Sequence, residues 1–292
     1  MKALVWLKLG RVSNLPTVWS NALAGSVLAG AGLGEGLSAR FSVALAGVLS
    51  LYYVGGMYLN DAFDRHIDAR ERPERPIPAG LVSARAVFTL GFGMLALGIL
   101  LTWWLAASSP APTSALLSGL VLAALIVVYD AYHKQNPVSP LVMGLCRVMV
   151  YVTAAYTAAG AAPPAVWLGA LALLSHLIGL TYAAKQENLA SFTGVWPLAF
   201  FLVPVGYGLL VALNHPTALA FLALYTLWLA YSLRLLMPGR TRSIPGAVVR
   251  LIAGISLLDA LLLAAAGAME LALVALTLAA LTRLAQRFVP GT

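Results

Sequence analysis

The run Asn60-Asp61-Ala62-Phe63-Asp64-Arg65-His66-Ile67-Asp68 holds three carboxylates and an amide within nine residues. On a helix, at about 100° per residue, Asn60, Asp64, Asp68 and Asp61 fall at about 0°, 40°, 80° and 100°, a single narrow face. Like charges stacked in that way repel, so the helix needs a cation or ordered water beside it. A hard divalent ion with oxygen ligands meets that need, and Mg²⁺ suits a carboxylate cluster that must also hold phosphate. Asn60, Asp61, Asp64 and Asp68 are therefore candidate metal ligands. The competing reading is a solvated helix end that is merely acidic. Two features weigh against it: the run comes straight off an apolar stretch, and an Arg-rich segment follows.

Two further polar clusters carry compatible chemistry. One is Tyr129-Asp130-Ala131-Tyr132-His133-Lys134, and the other is Tyr182-Ala183-Ala184-Lys185-Gln186-Glu187-Asn188. Between them, Gly144-Leu145-Cys146-Arg147 sets a guanidinium about two and a half turns inside an apolar span, which makes Arg147 a candidate substrate ligand. An acidic metal site ringed by Arg, Lys and Tyr points to a phosphorylated or diphosphorylated lipid. Mg²⁺ on Asn60, Asp64 and Asp68 would neutralise a diphosphate as it leaves. Arg72, Arg75, Lys134 and Lys185 would donate to its oxygens. The ring of Tyr129 or Tyr182 would stabilise an allylic cation, and the membrane would keep out water that traps one.

Hydrophobic residues make up 61% of the 292 and charged ones 10%, with a mean hydropathy of +0.89. A water-soluble globular chain is excluded. The apolar runs are each close to the roughly 20 residues that cross a bilayer. Candidate spans are 15–33, 42–60, 86–107, 112–130, 138–160, 165–183, 195–213, 217–236, 245–266 and 269–287. Gly267-Ala268 joins the last two so tightly that they also read as one broken or re-entrant element, giving nine or ten spans. The expected fold is an all-α polytopic membrane bundle around a central cavity, in one domain over 1–292. No cleavable signal peptide is expected, because Pro16 opens a full-length span.

The net charge of +8 is distributed as the positive-inside rule requires, with Arg40 the only loop arginine on the outer side of the expected topology. That arrangement argues against a nucleic-acid partner and for an N-terminus and a basic mouth on the cytoplasmic side of the cell membrane, open to phosphates. The lone Cys146 excludes an intramolecular disulfide, and the four histidines are too scattered for a zinc signature. His176 reads as a hydrogen-bonding core residue. Arg250 and Asp259, nine apart in one span, lie about 180° apart on a helix and each must face the bundle interior or a neighbour.

These residues carry a resemblance. The segment Arg11-Val12-Ser13-Asn14-Leu15-Pro16-Thr17-Val18-Trp19-Ser20-Asn21, the run Asn60-Asp61-x-x-Asp64-x-x-x-Asp68 and the tail Arg72-Pro73-Glu74-Arg75-Pro76-Ile77-Pro78-x-Gly80 are similar to the UbiA superfamily of intramembrane prenyltransferases. Tyr129 followed by Lys134 resembles that family's spacing after its fourth helix. The resemblance implies about nine membrane helices around a cavity and Mg²⁺-dependent transfer of a prenyl group from a prenyl diphosphate to an acceptor, aromatic or otherwise. It implies that Asn60, Asp64 and Asp68 form the first metal motif, and that Asn21, Arg72, Lys134 and Tyr182 line the diphosphate region, Lys134 and Tyr182 joining the catalytic set. Where the family usually has a second Asp-x-x-x-Asp, this chain offers one carboxylate, Glu187, and Lys185 in the space of a cation. Together with Gly144-Leu145-Cys146-Arg147, that departure resembles the prenyltransferase-like proteins of ebo gene clusters. The alternative is a non-catalytic relative that binds or moves a phosphorylated isoprenoid lipid.

Overall fold

The computed structural model describes residues 2–32, 37–134, 136–185, 196–237 and 243–291; Glu187, Arg240 and Arg242 lie outside the described residues. All regular structure among the described residues is helical. A short α1 (Lys2–Leu9) and a 3-10 turn (Val12–Asn14) lead into α2 (Leu15–Leu28), α3 (Ala39–Glu71), α4 (Ala84–Leu105), α5 (Pro112–Tyr132), α6 (Ser139–Ala159) and α7 (Pro164–Lys185). A 3-10 stretch (Trp196–Phe201) then opens α8 (Leu202–Asn214), followed by α9 (Ala218–Arg234), α10 (Ile244–Ala265) and α11 (Met269–Ala285).

A helix stands at each of the ten expected spans, but their lengths differ from expectation. Among the described residues, seven helical stretches are long and apolar enough to cross a membrane, α8 counted together with the 3-10 stretch that opens it. At 14, 17 and 17 residues, α2, α9 and α11 fall short of that length, so length and composition do not deliver the expected nine or ten. The end of α2 has a local cause. Gly30 adopts φ +92 and Ala31 donates back to the Ser26 carbonyl at 3.1 Å, a left-handed closure only glycine takes freely, which stops the helix before residue 33. Gly267, at φ +79, likewise turns the chain between α10 and α11, which are two separate packed helices. Sequence-local caps fall where serines invite them: Ser38, Ser83 and Ser243 accept from Phe41, Ala86 and Gly246 backbone N–H groups.

α10 is the innermost helix, with every residue from Leu251 to Ala265 buried. It packs on α2, α7, α8, α9 and α11, while α2 also packs on α3 and α6. His176, wholly enclosed on α7, bonds Tyr225 Oη and the Leu251 carbonyl, both at 2.9 Å, as a core histidine should. The outer surface is apolar: Trp104, Leu210, Leu213 and Leu227 are exposed. With aromatic Trp103 and Trp104 at the end of α4, this is the exterior of an integral membrane protein.

In lipid, helices gain little from burying apolar surface and hold together through close backbone approach and hydrogen bonds. Gly25 provides such an approach. A Cβ there would stand 2.6 Å from the Tyr151 carbonyl oxygen and 2.8 Å from its Cα, so α2 and α6 touch backbone to backbone. Gly25→Ala is expected to cost about 1–3 kcal/mol by overpacking, read as a lower melting temperature in detergent. An unchanged melting temperature would show that the two helices separate freely.

α3 is 33 residues long, about 50 Å at 1.5 Å per residue, against about 30 Å of hydrocarbon. Its last turns therefore project beyond the membrane core, and they carry the acidic run.

Candidate active site

Helices α2, α3, α5, α6, α7 and α10 enclose a central cavity of about 1110 Å³. Its deeper wall is apolar, with Leu122, Ile126, Val150, Leu177 and Ile252, and its mouth is basic, with Arg11, Arg72, Arg75, His133, Lys134 and Lys185.

The face of α3 that carries Asn60, Asp61, Asp64 and Asp68 turns inward, and all four side chains are buried. Their charge is met by the protein's own bases. Arg75 reaches Asp68 at 2.8 Å and Asp61 at 3.3 Å, and Arg11 lies 3.5 Å from Asp61. His133 and Lys134 converge on one oxygen of Asp64, each at 3.3 Å. Asn60 donates to Asp130 at 3.1 Å. Asp61, Asp64 and Asp68 do not themselves line the cavity; the bases in front of them do. Burial pulls down the pKa of Arg75, but the Asp61 and Asp68 carboxylates outweigh it and hold the value above the ordinary guanidinium range, so this cation is permanent. Arg11 holds φ 42, the left-handed region, where a non-glycine residue is strained, and its carbonyl accepts from Tyr53 at 3.4 Å.

The other expected site residues divide. Arg72 caps α3 at the rim, its N–H donating to the Asp68 carbonyl at 2.8 Å. Lys134 is partly exposed at the mouth. Lys185 lies at the rim and donates to Ser139 at 3.0 Å. Tyr129 lines the cavity and stacks on His133 with ring centroids 5.0 Å apart. Arg147 lines the cavity deeper in, beside Tyr53. Two expected site residues stand apart from the cavity lining. Tyr182 is not among the cavity-lining residues, because α7 faces the cavity through Leu177, Leu180, Thr181 and Ala184, and Tyr182 stands about 140° round the helix from Leu177. Asn21 is wholly enclosed, with Arg147 on one end of its amide and Asp259 on the other, so it meets the cavity only through Arg147.

Sequence reasoning passed over Asp130, His133 and Arg11 as site residues. The signal for the first two was their place in the Tyr129–Lys134 cluster. Asp130 is 3% exposed, and its Oδ2 is a buried oxygen with no hydrogen-bond partner among the described residues.

The donor set fits a hard divalent cation in kind: it offers oxygens only, and Mg²⁺ needs just one or two carboxylates where phosphate completes its shell. The unsatisfied oxygen of Asp130, beside Asn60, adds to that supply. No three His, Cys, Asp or Glu side chains are gathered as a metal cage among the described residues; Asp61, Asp64 and Asp68 are each held by a base.

A family model described as the UbiA prenyltransferase family matches residues 16–191, more than half of the chain. The chain belongs to the UbiA prenyltransferase family. It is thus an intramembrane prenyltransferase, and the matched region contains the acidic run, Lys134, Arg147 and Lys185. A digeranylgeranylglyceryl phosphate synthase of Methanopyrus kandleri is 29% identical over 219 residues, 74% of each chain. A protein of the same name from Methanothrix thermoacetophila is 34% identical over 133 residues, 46% of each. Among solved structures, one described as digeranylgeranylglyceryl phosphate synthase in membranes superposes with a TM-score of 0.61 at 20% identity, covering 92% of this chain and 99% of that one. A UbiA homologue from Aeropyrum pernix K1 superposes at 0.51 with 17% identity, covering 94% and 96%. The UbiA fold therefore extends over most of this enzyme's length, further than the matched family region.

Proposed function

We propose that this UbiA-family enzyme moves a prenyl group from a prenyl diphosphate to the hydroxyl of a glyceryl-phosphate-type lipid, with hydroxylated aromatic acids as the second acceptor class. The observation that carries the donor half is a basic rim above an apolar cavity of about 1110 Å³, a shape that takes a diphosphate at the mouth and its hydrocarbon tail below. The acceptor half is supported by the names of the curated relatives.

On this reading Arg72, Lys134 and Lys185 donate to the diphosphate oxygens, charge-assisted bonds that strengthen as the allylic C–O bond breaks and its electron pair moves to oxygen. The Tyr129 ring, in the cavity wall, faces the developing carbocation. Leu122, Ile126 and Val150 keep water from intercepting it. The acceptor oxygen then bonds the allylic carbon, and its proton leaves with the diphosphate. Asp64 and Asp68, with Asn60 and Asp61 beside them, are the residues that would hold Mg²⁺, which when bound neutralises the departing diphosphate. Glu187 belongs to the same expected set and lies outside the described residues.

The test is turnover by the purified protein of prenyl diphosphates of several chain lengths, paired with geranylgeranylglyceryl phosphate and with a hydroxybenzoate. Stripping divalent cations with a chelator is expected to stop both diphosphate release and product formation, and added Mg²⁺ to restore them. Undiminished turnover in chelator would remove the metal from the proposal. Tight binding of donor without release, whatever acceptor is offered, would overturn the proposed reaction.

A further inference from the structure

Below the mouth, the cavity wall holds a cation with no carboxylate beside it among the described residues. The guanidinium of Arg147, on α6, donates to Asn21 Oδ1 at 2.9 Å and to Thr17 Oγ1 at 3.1 Å, and lies 5.4 Å over the Tyr53 ring. Among the described residues no carboxylate oxygen lies within ion-pair distance of it, whereas Arg11, Arg75, His133 and Lys134 at the mouth each have one. Its countercharge is one residue removed. Asn21 donates to Asp259 at 2.8 Å, and Asp259, wholly enclosed on α10, also accepts from Ser20 at 2.5 Å and from Tyr151. This relay ties α2, α6 and α10 together behind the cavity wall and fixes the plane of the guanidinium.

Such an arrangement is costly to keep without purpose. A guanidinium has five N–H donors, and two are spent on Asn21 and Thr17. The rest belong to a side chain that lines the cavity, at membrane depth, where an unpaired charge is expensive. The site is also distinct from the mouth. Tyr53, beneath the guanidinium, lies about two turns below Asn60 on α3, about 10 Å at 1.5 Å per residue. A diphosphate gripped at the rim leaves Arg147 free, and a second anion entering the same cavity would meet it.

We propose that Arg147 binds the anionic group of the acceptor, phosphate or carboxylate, and that Asp259 is a positioning residue that acts on it through Asn21. The proposal rests on the reading that donor and acceptor share this cavity. It places the two anions at opposite ends of the reaction space, with the allylic carbon and the attacking oxygen between them. A fixed fork with spare parallel donors matches either anion in a bidentate manner.

The experiment uses the full-length protein and two matched acceptor pairs: geranylgeranylglyceryl phosphate with geranylgeranylglycerol, and a hydroxybenzoate with its amide. The wild type is expected to favour the charged member of one pair, and which pair does so distinguishes a phosphate from a carboxylate. Arg147→Gln is expected to raise the acceptor KM for that charged member about ten- to a hundredfold, leaving the KM of its neutral partner and of the prenyl diphosphate unchanged. Arg147→Lys keeps the charge and should recover part of the loss, and Thr17→Val should lose less, in the same direction. Tryptophan-fluorescence titration with each acceptor alone reads the same preference without turnover. A wild type that binds the charged acceptors through Arg147 but transfers to none of them defeats the transfer reading and not this one. A raised KM for the diphosphate, an equal loss for charged and neutral acceptors, or no preference in either assay would overturn the assignment.

Discussion

Asp64→Asn is expected to lower kcat by about 10²–10³-fold, the usual cost of removing one preorganised group that stabilises transition-state charge. Asp64 stands between the two sources of positive charge that the proposed chemistry needs. One of its oxygens already holds both His133 and Lys134, each at 3.3 Å, so the carboxylate aims Lys134 at the rim as well as offering itself to a metal ion. The amide keeps the size and one acceptor oxygen but loses the charge, so Lys134 loosens and cation affinity falls together. Stability should change less than kcat, because the amide keeps the shape of the buried Asp64 side chain and one acceptor oxygen, and Lys134, 40% exposed, stays solvated when the pair is lost. The check is a steady-state assay beside a melting curve of the same preparation. Near-normal kcat would remove Asp64 from the catalytic set, and a melting temperature lowered by many degrees would recast it as a structural residue.

Asp259→Leu should have the opposite signature, with a large loss of stability. Asp259 accepts from Ser20, Asn21 and Tyr151 inside the stretch of α10, Leu251 to Ala265, in which every residue is buried. Leucine matches the volume but leaves three donors facing hydrocarbon. Hydrogen bonds between membrane helices average about 0.6 kcal/mol, while an unsatisfied buried donor costs about 1–3 kcal/mol. The expected loss is therefore about 2–5 kcal/mol, the lower figure holding if the donors find new partners. Thermal unfolding in mild detergent, read by circular dichroism, decides it. A variant as stable as the wild type would mean that the three donors re-pair without cost, and that the relay to Arg147 carries no packing energy.

What the sequence revealed follows the range of the physics behind it. Helical periodicity is local, so the inward acidic face of Asn60, Asp61, Asp64 and Asp68 and the run of α3 beyond the membrane could be read residue by residue. The Ser83 cap is local too, its hydroxyl accepting from the Ala86 N–H three residues on. The place of Tyr182 was not legible in this way, because its phase on α7 depends on which side of that helix the bundle presents to the cavity, and an apolar helix with polar ends does not declare it. Asn21 lies 126 residues from Arg147 and 238 from Asp259, and no spacing rule joins residues so far apart. Asp259 itself could be read as facing the interior, but its partners could not. Asp130 was visible as one acid among aromatic and basic neighbours; its unsatisfied oxygen is a property of packing alone.

The resting mouth has a thermodynamic consequence. Arg75 bridges Asp61 and Asp68, and His133 and Lys134 share Asp64, so every base engaged there withholds a carboxylate, and every carboxylate withholds a base. An anion that captures Arg75 frees Asp68 and leaves Asp61 to Arg11 alone, and a cation that takes those acids releases Arg75. Each visitor therefore prepares the place of the other, and by reciprocity the factor by which the first tightens the second is the factor by which the second tightens the first. Anion and cation entering singly must each break ion pairs without replacement; entering together, they exchange old pairs for new.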